Sequence, residues 1–240
     1  LQSPASHRLN KTKLITIRIL LIGFLFLLCF GCSMLLGAFQ STIAAAPDLD
    51  SIQIAPSGYT TTLLDTDGKT IQTLVGKDAN RQYVTLDQIP VNLQNAFIAI
   101  EDERFYSHHG VDFQGILRAF ALGLANGGHF SQGASTLTQQ LLKNQVFEGG
   151  EEKTILGRFQ RKIQEQYLAI QLEKHYSKQQ ILEYYLNTIN LGQNTLGVQA
   201  ASKRYFNKSV SELSLSECAV LAGITQNPSA YNPITHASAN

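Results

Sequence analysis

IPVNLQNAFIAIEDERFYSHHGVDFQGILRAFALGLA, residues 89–125, decides the fold class. Leu93, Phe97 and Ile100 recur at three- and four-residue spacing, the signature of one helical face. Asp112 then stands as an N-cap before Phe113, Ile116, Leu117, Phe120 and Leu124, a second apolar face that Gly127-Gly128 ends. Working outward, the same period returns in STLTQQLLKN from Ser135 and in a long helix from about Phe159 to Lys174. Ser177-Lys-Gln-Gln180 is a capping-box pattern for a helix ending near Gly192. Ser214-Leu-Ser-Glu217 is another, opening LSECAVLAGI, which Asn227-Pro228 closes. The expected fold is mainly α.

Upstream the period changes. TTTLLDTDGKTIQTLV reads as two short strands around the Asp67-Gly68 turn, a small β-hairpin of the kind that serves as a pedestal. Residues 40–58 are rich in Ser, Ala, Pro and Asp and read as a linker. Before them, Ile19 to Phe39 carries no charge, and 21 residues at about 1.5 Å each span roughly 30 Å of hydrocarbon. Arg8, Lys11, Lys13 and Arg18 precede it, so residues 1–18 are expected to be a basic cytoplasmic stub, 19–39 a single transmembrane signal anchor, and 59–240 a domain outside the cell membrane. A cleaved signal peptide with Ala44-Ala45-Ala46 at its cleavage region is the alternative, but its apolar region is usually about 7–15 residues.

The composition agrees once the chain is divided. Its 240 residues hold 19 Lys+Arg and 18 Asp+Glu, a net charge of +1 that argues against a nucleic-acid binder. Without the four N-terminal cations the remainder is slightly acidic. Three cysteines, two of them in the apolar run, imply no structural disulfide.

Three groups carry chemistry. Glu101-Asp102-Glu103 ends an apolar helix and is followed by Phe105, His108, His109 and Gly110, which suits either a solvated helix end or a carboxylate of tuned acidity in a cleft. In the stretch 133–144, Leu137, Leu141 and Leu142 can pack inward and leave Ser135, Gln139, Gln140, Lys143 and Asn144 for hydrogen bonding, at a helix start that favours an anion. Arg161-Lys162-Ile-Gln-Glu165 sets two cations at i,i+4 and i,i+3 spacing from one acid. On a plain surface such pairs give about 0.2–0.5 kcal/mol each, whereas in a cleft they suit a phosphate leaving with negative charge.

Five blocks in order, EDERFYSHHGVD (101–112), GASTLTQQLLKN (133–144), RKIQE (161–165), ILEYYLNTINLG (181–192) and GVQAASKRYFNK (197–208), extended by LSECAVLAGITQNPSAYNP (215–233), resemble the peptidoglycan glycosyltransferase family, glycosyltransferase family 51. This is the domain of monofunctional transglycosylases and of the N-terminal half of class A penicillin-binding proteins. The resemblance implies a lysozyme-like, mainly helical domain with a small jaw resting on the membrane. It implies polymerisation of lipid II, with the growing strand as donor on undecaprenyl pyrophosphate and the acceptor 4-hydroxyl attacking with inversion to give a β-1,4 bond. Glu101 matches the catalytic base and Glu165 the second essential glutamate. Lys143, Arg161 and Lys162 match the cationic donor site. Phe105, His108, Arg118, Ser135, Gln139, Gln140 and Asn144 match or adjoin positions lining the cleft, and Asp102 either binds or holds the turn, the structural role being preferred.

The resemblance implies lipid II, the growing strand, the membrane and the cell-wall synthesis machinery as partners, at the bacterial inner membrane. It admits Mg²⁺ or Mn²⁺ at the pyrophosphate, although no cofactor is required by the sequence and no metal-ligand spacing stands out. Two departures are visible. The link EGGEEKTILGRFQ before the third block is longer than the family's, with Lys153 or Arg158 to supply its usual cation, and the domain is expected to be C-terminally truncated. No Ser-x-x-Lys acyl-enzyme motif occurs in these residues. A lysozyme-like glycan-cleaving enzyme and an inactive membrane scaffold are the competing readings. Cleavage has no need of the cation cluster, and retention of both glutamates argues against the scaffold.

Overall fold

The computed structural model describes residues 11–74, 81–128, 133–147, 149–150, 152–193, 195–228 and 230–235. The chain divides between Ala46 and Pro47 into two compact units.

The first unit is α1, Lys11–Ala44. Its apolar side chains are exposed around the whole circumference, Phe24, Phe26 and Leu35 among them. A helix that is apolar all round and exposes that surface has the composition of a membrane span. The hydroxyls of Ser33 and Thr42 donate to the carbonyls of Cys29 and Ala38, four residues back, so both are paired within the helix. The uncharged run Ile19 to Phe39 lies within this helix, and α1 is long and apolar enough to cross a membrane.

The second unit opens with a 3-10 turn at Leu49–Ser51 and the antiparallel pair β1 (Thr61–Leu64) and β2 (Thr70–Leu74). Asp65 Oδ1 accepts from the amides of Asp67 and Lys69, and Gly68 supplies the positive φ the turn needs. The hairpin is exposed and adds little to the core.

The core is helical. Leu93 and Phe97 of α2 (Val91–Glu101) are fully buried, and α2 packs on α8 (Leu215–Ile224). Leu137, Leu141 and Leu142 of α4 (Leu137–Gln145) are buried where α4 packs on α5 (Ile155–His175) and α6 (Lys178–Thr188). α7 (Val198–Phe206) packs against α8. Both expected capping boxes are present, at Ser177 and Ser214.

Three helix limits differ from the sequence reading. Thr136, not Ser135, caps α4, because its hydroxyl also reaches Gly110 O at 2.7 Å. α5 begins at Ile155, where Thr154 accepts from the Gly157 amide. α6 stops at Thr188 rather than near Gly192.

The apolar face of α3 (Phe113–Ala125) is a more consequential finding. Phe113, Leu117 and Leu124 are each at least 60% exposed, and the helix buries Gly115 and Gly123 instead. This face turns away from the core.

Candidate active site

Glu101 is the last residue of α2, so its side chain leaves the helix beside a cavity of about 510 Å³. Glu101, Arg118, Ser135, Gln140 and Thr225 line it. Gln140 of α4 donates from Nε2 to Glu101 Oε2 at 2.8 Å, and Thr225, just after α8, donates to Oε1. The buried Tyr185 hydroxyl donates to Gln140 Oε1 at 3.3 Å, which turns the amide so that its nitrogen faces the carboxylate. Burial, with the charges of Glu101 and Asp102 behind it, holds the Tyr185 hydroxyl well above the usual tyrosine range, so it stays a donor. Glu101 is thus held by two donors, one on α4 and one just after α8, which fixes an ionised carboxylate beside the cavity.

Asp102, which also lines the cavity, is engaged within the chain. It is buried, accepts from the Leu137 amide at 2.9 Å, and faces His108 Nε2 at 3.0 Å. The start of α4, expected to favour an external anion, is therefore occupied by the chain's own carboxylate. Lys178 reaches His108 Nδ1 at 3.4 Å, lies 4.4 Å over the Phe105 ring and pairs with Glu173 at 2.8 Å. Lys178 at Nδ1 and Asp102 at Nε2 thus hold the imidazole from both sides. Burial lowers the Lys178 ammonium from its ordinary value, with Glu173 opposing.

The cationic group forms a second cluster. Glu165 is fully buried, and both Arg161 Nη1 and Lys162 Nζ donate to it, the latter at 2.6 Å. The i,i+4 and i,i+3 pairs are therefore present, one of the cations buried and the other partly exposed. Glu152 adds a second carboxylate, 2.5 Å from Arg161 Nε. Burial disfavours the Arg161 charge, but Glu152 and Glu165 outweigh it and raise its pKa. The segment before α5 thus brings an acid onto Arg161, while Lys153 and Arg158 are exposed. Lys143 approaches the same place: a Cβ on Gly150 would stand 2.8 Å from Arg161 Cζ and 2.9 Å from Lys143 Cε.

α4 joins the two clusters. Gln140 and Lys143 are three residues apart on one face, about 4.5 Å along the axis. Lys162 Nζ also donates to Ser135 Oγ at 3.1 Å, and Ser135 lines the cavity. Arg118 lines the cavity half-exposed, with Glu103 at 3.7 Å.

Four sequence-predicted residues stand elsewhere. Phe105 is fully buried and His108 nearly so, both absent from the cavity lining and engaged behind it by Lys178 and Asp102. Gln139 is buried, its side chain toward Gly110 O, because it lies about 100° around α4 from Gln140. Asn144 is exposed and outside the cavity lining. Conversely, Thr225 and Arg104 line the cavity and were not selected from sequence. Arg104 pairs with Asp112 at 2.5 Å. Burial raises the Asp112 carboxyl but is outweighed by Arg104 and the Gly115 amide, which leave it below the ordinary range. The acidic helix cap Asp112, eight residues on, was a usable sequence signal for Arg104; Thr225 had none.

The transglycosylase family model matches residues 67–240. Penicillin-binding protein 1A of Clostridium tetani is 41% identical over 231 residues, 94% of this chain and 28% of that protein. The Clostridium botulinum (strain Langeland) protein of the same name is 46% identical over 207 residues, 84% of this chain and 24% of its own. That of Escherichia coli K12 is 43% identical over 215 residues, 87% and 24%. The chain spans about a quarter of the length of these relatives. Both side-chain clusters fall inside the matched residues, and the chain belongs to the transglycosylase family.

Proposed function

We propose that the chain is a membrane-anchored peptidoglycan glycosyltransferase that polymerises lipid II by inverting transfer. The observation that carries this reading is the pairing of a donor-gripped carboxylate, Glu101, with a separate cation cluster, Lys143, Arg161 and Lys162, through one helix. A sugar hydroxyl is a poor nucleophile near neutral pH, and a placed carboxylate takes its proton as the new bond forms. Pyrophosphate leaves with the electron pair of the broken C–O bond and needs its growing charge compensated. Glu165 orients Arg161 and Lys162 for that task.

Glu152 and Glu165 are already engaged by these cations. Among the described residues no group of three or more His, Cys, Asp or Glu side chains forms a metal site. A bound Mg²⁺ or Mn²⁺ would take pyrophosphate oxygens as ligands and would neutralise charge there.

The exposed face of α3 supports a jaw that rests on the bilayer, where Phe113, Leu117 and Leu124 bury their surface in lipid. The basic start of the chain supports a cytoplasmic N-terminus with the second unit outside the inner membrane, within reach of the cell-wall synthesis machinery.

Incubation with lipid II tests the reading. The full chain is expected to yield long glycan strands, and Glu101→Gln to reduce their formation by about 10² or more. Shortening of pre-formed polymer would indicate the glycan-cleaving alternative. Binding of lipid II without polymer would indicate a scaffold.

A further inference from the structure

We infer that Thr225 is a positioning residue for Glu101, a hydroxyl that keeps a hydrogen bond to this carboxyl in both of its protonation states. The inference rests on the reading of Glu101 as the base. Thr225 follows the last turn of α8, and its Oγ1 lies within hydrogen-bond reach of two acceptors. One is Glu101 Oε1 and the other is the carbonyl oxygen of Ala222, at 2.8 Å. A hydroxyl has one proton to give and two lone pairs to accept with.

While Glu101 is ionised, Thr225 donates to Oε1. When the acceptor sugar attacks, its O–H bond breaks and the proton passes to Glu101. The freed electron pair makes the new glycosidic C–O bond, and the pyrophosphate departs with the pair of the old one. The Thr225 proton then turns to Ala222 O, and Oγ1 accepts from the carboxylic O–H. Release of that proton to water reverses the turn.

Gln140 has no such freedom. Tyr185 fixes its amide with the nitrogen toward Oε2, so it remains a donor throughout. Oε2 therefore stays an acceptor, and the proton taken up by Glu101 belongs on Oε1, beside the hydroxyl able to receive it. A methyl group at the Oγ1 position would serve neither state.

The test compares Thr225→Val, which keeps the shape, with Thr225→Ser, which keeps the hydroxyl, in lipid II polymerisation by the full chain. Thr225→Val is expected to lower kcat about ten-fold with KM changed by less than about two-fold, and Thr225→Ser to restore kcat to within about three-fold of the parent. Thermal unfolding of each variant separates this from misfolding: Ser and Val must melt within a few degrees of the parent. Equal kcat for Val and parent, a loss expressed in KM, or failure of a folded Ser variant to recover would overturn the role of Thr225. If the parent itself makes no polymer, the glycosyltransferase reading fails instead.

Discussion

The carboxylate of Glu152 stands 2.5 Å from Nε of Arg161, on the edge of the guanidinium that Glu165 leaves open. Arg161 thus carries two acids at once, and under the proposed function the outer one competes with an incoming phosphate. Burial raises the Glu152 carboxyl, but the Arg161 hydrogen bond and charge outweigh it and lower its pKa. Glu152→Gln removes that competing charge. It is expected to strengthen inhibition of polymerisation by inorganic pyrophosphate about three- to ten-fold at fixed ionic strength, with the effect fading in high salt. Unchanged or weaker inhibition would assign Glu152 to holding Arg161 in place.

Glu165 is the opposite case, a buried acid between two cations. Breaking a buried pair from one side costs about 3–5 kcal/mol, because uncompensated charge remains. Lys162 is partly exposed and its charge can be solvated, so Glu165→Ala is expected at the lower end, about 3 kcal/mol, in denaturant unfolding. Polymerisation should fall as well, since both cations lose their orientation.

Gly110 has φ +86°, and a Cβ there would meet the carbonyl carbon and oxygen of Ala169 at 2.5 Å. Those atoms belong to the backbone of α5 and cannot swing aside. Gly110→Ala should therefore destabilise by more than about 2 kcal/mol, read as a lower denaturant midpoint. It should also loosen the Thr136 cap, which donates to Gly110 O.

Glu217 governs part of the acid response. The Lys208 ammonium and the Ser214 amide hold its carboxyl at about 2, below its ordinary 4.5. A depressed folded pKa contributes stability above the unfolded value and loses it as pH falls through the folded one. The melting temperature of the parent should exceed that of Glu217→Gln near neutral pH. The gap should close between about pH 4.5 and 2. A gap independent of pH would exclude this linkage.

Leu117 and Leu124 on α3 are 69% and 60% exposed, so Leu117→Glu with Leu124→Glu should leave the melting temperature in detergent nearly unchanged. In lipid vesicles the same chain should polymerise lipid II several-fold more slowly, because charge on this face opposes contact with the bilayer. Equal rates in vesicles would remove α3 from the membrane surface.

The sequence by itself determined what depends on neighbours along the chain. The uncharged run from Ile19 to Phe39, the turn at Asp67-Gly68, the caps at Asp112, Ser177 and Ser214, and the ion pairs of Arg161 and Lys162 with Glu165 are set by spacing within one element. Helical period alone, however, does not say which way an apolar face points. Core-forming Leu137 and exposed Leu117 carry the same signal, and only packing against other helices separates them.

The site divides in the same way. Residue type and motif selected Glu101, Gln140, Ser135 and the cations, yet they did not distinguish Gln140, which reaches Glu101, from adjacent Gln139, which is buried toward Gly110. A rotation of about 100° per residue decides that, and its origin is fixed by how α4 seats on α5 and α6. Thr225 lies 124 residues from Glu101 along the chain, and only the packing of α2 against α8 makes them partners. Glu152 meets Arg161 because Gly150 lets the backbone come close against the Lys143 and Arg161 side chains, where a Cβ would clash. Long-range contacts of this kind are properties of the folded chain, since no local rule relates the residues that make them.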